Sequence, residues 1–141
     1  MNSLFLVNLF MKKILIIGGG AMGSAFSVPC IDNNNKVFIT EPYSQRFIKN
    51  LSSKNKFHSG LKINLSKKLI FKKYAKELFL EKYDLIVVAL SLSGINFIGK
   101  ELNNYKVKSP ILILTKGLKY DKRNKKITTI SQTLLKNNPK F

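Results

Sequence analysis

From residue 12 onward, continuous apolar runs alternate with polar stretches in which apolar residues recur at helical spacing. Residues 12–18, KKILIIG, form an apolar run of strand length ending in glycine, the pattern of a central parallel strand covered on both faces. A helix is predicted from about Ala21 to Asn33, closed by DNNN, with Pro29 expected to kink or loosen its last turns because proline has no backbone donor. KVFIT reads as a second strand. Glu41 opens a polar turn, and Tyr43, Phe47 and Leu51 mark one face of a following helix. Residues 52–66 look like loop, punctuated by Gly60.

KLIF reads as a third strand and KKYAKELFLEK as a helix. YDLIVVAL has no polar interruption after Asp84, which predicts a buried central strand. SLSG leads into a helix with Ile95, Ile98 and Leu102 on one face. SPILILTKG reads as a fifth strand with Pro110 at its first position, where a missing donor is tolerated. DKRNKK reads as a charged loop, and Ile127, Ile130 and Leu134 as the stripe of a last helix. Strands and helices in alternation predict the α/β class: a doubly wound, mostly parallel sheet with helices on both faces. One domain is expected over 12–141. Residues 1–11 are apolar but lack a basic start and a small-residue cleavage site, so they read as an extension outside the fold, with Met11 a natural start.

Composition changes this picture little. The chain has 141 residues, 45% of them hydrophobic, enough for one core. A formal charge of +18 raises the question of nucleic acid, but only Arg46 and Arg123 among the 25 basic residues are arginine. Base readout and bidentate phosphate clamps favour arginine, so scattered lysines predict attraction of small anions rather than nucleic-acid binding. The lone Cys30 excludes an internal disulfide and fits a cytoplasmic location. The lone His58 cannot build a metal site by itself and reads as structural or solvent-facing.

The chemistry concentrates at Gly18-Gly19-Gly20-Ala21-Met22-Gly23, a G-x-G-x-x-G turn that directly follows a buried strand and directly opens a helix. Gly18 permits a tight turn, Gly20 lets backbone approach a pyrophosphate, and Gly23 lets helix and strand pack closely. The helix start offers free N–H groups and partial positive charge to phosphates. Glu41, at the end of the second strand, stands where a carboxylate accepts bonds from adenosine ribose hydroxyls and repels a 2′-phosphate, favouring NAD over NADP. Lys116 follows the fifth strand, at the strand end where such sheets place ligands.

ILIIGGGAMGSAF…VPCIDNNNKVFITE, DLIVVALS and ILILTKGL together resemble the N-terminal, cofactor-binding domain of NAD(P)-dependent glycerol-3-phosphate dehydrogenases, and TKGL is the most discriminating of these elements. The resemblance implies that Gly18, Gly20 and Gly23 form the phosphate turn and that Ala21 and Met22 add backbone contacts. It further implies that Glu41 and Pro42 meet the adenosine ribose. Leu90–Gly94 would lie beside the nicotinamide; the family usually has proline where Ser91 stands. Lys116 matches a lysine reaching cofactor and substrate.

The implied activity is hydride transfer between NAD, or NADP, and the glycerol 3-phosphate/dihydroxyacetone phosphate pair. In the family the proton donor sits in a second, helical domain, so no catalytic residue is expected in this chain. It is expected to lack the sixth strand and to act as a fragment, with its edge strand open to self-association or a partner chain. Related reductases of ketopantoate or pyrroline-carboxylate type are an alternative that TKGL opposes. A non-catalytic basic nucleotide-binding or nucleic-acid-binding module is another.

Overall fold

The computed structural model describes residues 11–53, 55–122 and 124–137. The extension expected over 1–11 therefore lies, apart from Met11, outside the described residues.

Five strands make one parallel sheet: β1 (Lys13–Ile17), β2 (Lys36–Thr40), β5 (Ile70–Phe71), β6 (Leu85–Val88) and β7 (Ile111–Ile113), in the order β5-β2-β1-β6-β7. These are the five strands the apolar runs predict. The central strand β1 is sealed on both sides. Leu15 and Ile17 share one core with Phe38, Ile86 and Val88, while Ile14 and Ile16 share the other with Val37, Ile39 and Val87.

Helix α1 (Ala21–Asp32) links β1 to β2 and continues through Pro29 to Asp32. It meets the sheet through small residues in its first two turns, Gly23, Ser24 and Ser27, with Ile31 buried near its far end. That composition brings the helix start close to the end of β1. On the other face, α3 (Ile95–Asn104) buries Ile95, Ile98 and Leu102 at the predicted spacing, and α4 (Ile130–Asn137) adds Ile130 and Leu134 to the same core.

Three stretches depart from the sequence reading. Residues 52–66 are not plain loop: β3 (Phe57–His58) and β4 (Ile63–Asn64) pair as a small antiparallel hairpin, and α2 (Gln45–Leu51) starts after Tyr43.

The helix expected over KKYAKELFLEK is reduced to a 3₁₀ turn at Lys76–Leu80. The chain here must cross from the edge strand β5 over β2 and β1 to β6, three strand spacings or roughly 14 Å sideways. Aromatic side chains set the path: Tyr74 meets Phe79 edge-on, Phe79 stacks on Tyr105, and Tyr83 meets Phe38. Glu81 is tied to Lys13 and Lys72. Tertiary anchoring overrides helix propensity.

The region read as charged loop plus helix is a hairpin, β8 (Leu118–Asp121) and β9 (Lys126–Thr129), leading into α4. Ile127 belongs to the hairpin and is exposed. The helix cannot start earlier, because Thr129 and Gln132 form a capping box: the Gln132 N–H donates to Thr129 Oγ1 at 3.2 Å and the Thr129 N–H to Gln132 Oε1 at 2.9 Å.

Candidate functional site

The chain turns away from β1 toward β2 on one side and from β6 toward β7 on the other, so the carboxyl ends of β1 and β6 flank the point where strand order reverses. In open parallel sheets a crevice forms there. The glycine turn fills one side of it. Gly18 has φ +114°, and its N–H donates to Thr40 O at 2.8 Å. A Cβ on Gly18 would lie 2.4 Å from Ala89 O, and one on Gly23 would lie 2.0 Å from Gly18 O. Both glycines are thus required by close contact with the protein itself.

Gly20 differs. A Cβ there would meet nothing within 4 Å. Gly20 is the N-cap of α1, with extended backbone and no side-chain cap. The first N–H groups of a helix have no acceptor within it. Those of Ala21 and Met22, both exposed, therefore begin α1 beside open space. A bare backbone next to uncapped donors at a helix start is suited to an anion. The donor set fits a phosphate-bearing group.

Glu41 joins this turn directly. Its Oε2 accepts from the Gly19 N–H and its Oε1 from the Tyr43 N–H, each at 2.9 Å. Pro42, half-buried, follows in the same loop. Partial burial, and then the Glu41 charge, push the Tyr43 phenol above its ordinary value. Tyr43 reaches across the sheet end toward the loop after β6: a Cβ on Gly94 would lie 2.8 Å from its hydroxyl, and its ring is 6.0 Å from that of Phe97.

The opposite wall is Leu90–Gly94, a 3₁₀ turn at Leu92–Gly94 in which the Ser91 and Ser93 hydroxyls are 2.9 Å apart. Thr115 Oγ1 donates to Leu90 O at 2.9 Å and so ties the TKG segment to this wall. Gly117 has φ +134°, a conformation that favours glycine, and faces Leu92. Between them Lys116 is exposed, on the same carboxyl edge but beyond the Leu90 loop from the glycines. Gly18, Gly20, Ala21, Met22, Gly23, Glu41 and Pro42 thus form one cluster. Lys116 belongs to the Leu90–Gly94 side, held there by its neighbours Thr115 and Gly117.

The supports beneath the turn, Ser24 and His58, carry no motif that assigns them to it. The Gly19 carbonyl accepts from Ser24 Oγ at 2.8 Å and has His58 Nε2 at 3.2 Å. Ser24 and His58 are both buried. A cavity of about 1080 Å³, lined by Val107, Ser109, Pro110, Ile111, Leu134 and Leu135, opens at the amino end of β7. It lies at the opposite end of the sheet from the glycine turn. Among the described residues no helix is long and apolar enough to cross a membrane.

A family model described as NAD-dependent glycerol-3-phosphate dehydrogenase N-terminus matches residues 13–141. An NADP(+)-dependent glycerol-3-phosphate dehydrogenase from Archaeoglobus fulgidus is 33% identical over 107 residues, covering 74% of this chain and 31% of that protein. The chain thus spans about a third of that relative's length. Among solved structures, glycerol-3-phosphate dehydrogenase from Coxiella burnetii aligns with TM-score 0.70 at 16% identity, covering 91% of this chain and 38% of that one. The Plasmodium falciparum enzyme aligns with TM-score 0.70 at 17% identity, covering 96% and 40%. These two likenesses speak for the doubly wound fold.

Proposed function

The chain belongs to the family of NAD-dependent glycerol-3-phosphate dehydrogenase N-termini, and from that premise we propose that it is the cofactor-binding portion of an oxidoreductase that interconverts sn-glycerol 3-phosphate and dihydroxyacetone phosphate. The nicotinamide cofactor supplies the hydride acceptor and donor when bound. Everything else asked of this chain is binding and orientation. Gly20 gives the pyrophosphate access to the backbone, and the N–H groups of Ala21 and Met22 receive it, while Gly18 and Gly23 shape the turn. Glu41, with Pro42 beside it, meets the adenosine ribose and disfavours a 2′-phosphate, so NAD is preferred over NADP. Lys116 serves the far end of the crevice, toward the substrate phosphate or carbonyl. The proton donor and most substrate contacts come from a second, helical domain, and the reaction takes place in the cytoplasm.

One observation carries this reading. The open space over Gly20 adjoins uncapped helix donors at the point where strand order reverses. The family match over residues 13–141 disfavours the ketopantoate and pyrroline-carboxylate reductases, and no feature of the crevice favours a nucleic-acid module.

The test is a fluorescence titration of the chain with NADH and NADPH, repeated with Gly20→Val. A valine there meets no protein atom within 4 Å of its Cβ, so the variant should keep its circular dichroism and lose NADH binding. Folded wild-type protein that does not bind NADH, or a Gly20→Val protein that binds as well as wild type, would sink the reading.

A further inference from the structure

We propose that His58 is a positioning residue for the phosphate turn: together with Ser24 it holds the Gly19 carbonyl inward and thereby aims the Gly20 N–H at the bound anion. The proposal rests on the cofactor reading above and goes beyond it, since neither the glycine motif nor the family match assigns His58 a part.

The geometry fixes the tautomer. The Leu61 N–H points at His58 Nδ1 at 3.1 Å, so Nδ1 is the acceptor. Nε2 then carries the proton and donates to Gly19 O, 3.2 Å away. The ring is 2% exposed and meets the Phe47 ring edge-on at 5.2 Å. Gly60 leaves room for it, since a Cβ there would press to 3.2 Å from Cε1.

The β3–β4 hairpin thus exists, in part, to carry one buried donor to a carbonyl 39 residues earlier in the chain.

The peptide between Gly19 and Gly20 converts that grip into direction. No described peptide bond is cis, and in a planar trans peptide the C=O and the following N–H point opposite ways. Two donors, His58 Nε2 and Ser24 Oγ, hold the Gly19 oxygen toward the protein interior. The Gly20 N–H must then point outward, into the space where a Gly20 Cβ would meet nothing. Without the grip, two adjacent glycines leave this peptide free to rotate. An anion would then have to order the peptide as it binds, at a cost in affinity.

A buried histidine that merely satisfies its neighbours would leave affinity for pyrophosphate-bearing ligands unchanged, and this separates the two roles. The test uses the full chain with His58→Leu, which removes the donor, and His58→Gln, whose amide nitrogen can take the place of Nε2. His58→Asn completes the set: it can still accept from Leu61 but is too short to reach Gly19.

Two readouts are compared in each: the ¹⁵N shift of Gly20, which reports hydrogen bonding at the preceding carbonyl, and affinity for NADH, ADP-ribose and adenosine. His58→Leu and His58→Asn should move the Gly20 resonance and weaken NADH and ADP-ribose by roughly tenfold, the scale of one hydrogen bond. Adenosine, which lacks the pyrophosphate, should bind unchanged, and His58→Gln should restore both readouts.

If His58→Leu does not fold, the contrast between His58→Gln and His58→Asn decides. Unchanged affinity for NADH and ADP-ribose in any folded donorless variant overturns the proposal, whether or not the Gly20 resonance moves. Failure of the cofactor reading looks different: the Gly20 resonance moves as expected while wild-type protein binds no NADH.

Discussion

Glu41 and Gly19 are joined across the end of the sheet: a carboxylate at the tip of β2 accepts the N–H of the second glycine in the turn after β1, at 2.9 Å. Glu41 is therefore part of the turn's own structure before any ligand arrives. A carboxylate offers about four acceptor positions, and Gly19 and Tyr43 take one on each oxygen, which leaves one on each for the ribose hydroxyls it is proposed to meet.

Glu41→Ala should accordingly do two things. It takes the charged acceptor from one part-buried and one exposed backbone donor, which should lower stability by about 1 kcal/mol. On the proposed reading it also removes the charge that would oppose a 2′-phosphate, so the NADH-to-NADPH affinity ratio should fall toward one. Thermal unfolding and paired titrations check both. Unchanged stability together with an unchanged ratio would mean that Glu41 serves neither the turn nor the cofactor.

The three glycines of the G-x-G-x-x-G turn should separate by experiment, because their surroundings differ. Gly23→Ala drives a methyl to 2.0 Å from Gly18 O, and Gly18→Ala adds both a 2.4 Å approach to Ala89 O and a φ of +114°. Backbone cannot yield as a flexible side chain can, so each should cost several kcal/mol, at the upper end for single substitutions. Gly20→Ala meets nothing and should unfold within a few degrees of wild type, with its effect confined to NADH affinity. Chemical denaturation of the three variants side by side would show whether strain and ligand access are divided in this way.

Much of this site can be read from residue order alone. The strands that frame it are apolar without interruption because both faces are covered, and Gly18 to Gly23 sit at the junction of such a strand with a helix. The supports cannot be read that way. His58 lies in a two-residue strand, too short for alternation to register, and its partner is set by a hairpin that folds back onto the turn. Residues 72–84 carry helix-forming side chains, yet their path is fixed by Tyr74, Phe79 and Tyr83 finding the aromatic partners Phe97, Tyr105 and Phe38 outside the segment. The start of α4 was legible after all, in Thr129 and Gln132. Ile127 obscured it by continuing the apolar spacing of Ile130 and Leu134 one turn too far.

Acid should act on this fold through Glu81, which clamps the crossover to the central sheet. Hydrogen bonds from Lys13 and then Lys72 hold its carboxyl below the usual carboxylate range, from 4.5 to about 2. A folded value below the unfolded one means the ion pairs add stability above about pH 4.5, and that this contribution is lost as pH falls toward about 2. The carboxylate is 36% exposed and the lysines are comparably so, which allows solvent to screen the pairs. We therefore expect Glu81→Gln to cost only about 1 kcal/mol at neutral pH, the upper range for surface pairs. The gap between wild type and Glu81→Gln should narrow steadily between those two pH values and close near the lower one, since a protonated carboxyl and an amide then differ little. Measuring the difference between the two proteins cancels the other carboxylates that titrate in the same window. Added salt at neutral pH should shrink the gap as well. A gap that stays constant down to about pH 2 would show that Glu81 acts through packing rather than charge, and would remove the electrostatic account of how residues 72–84 are held without a helix.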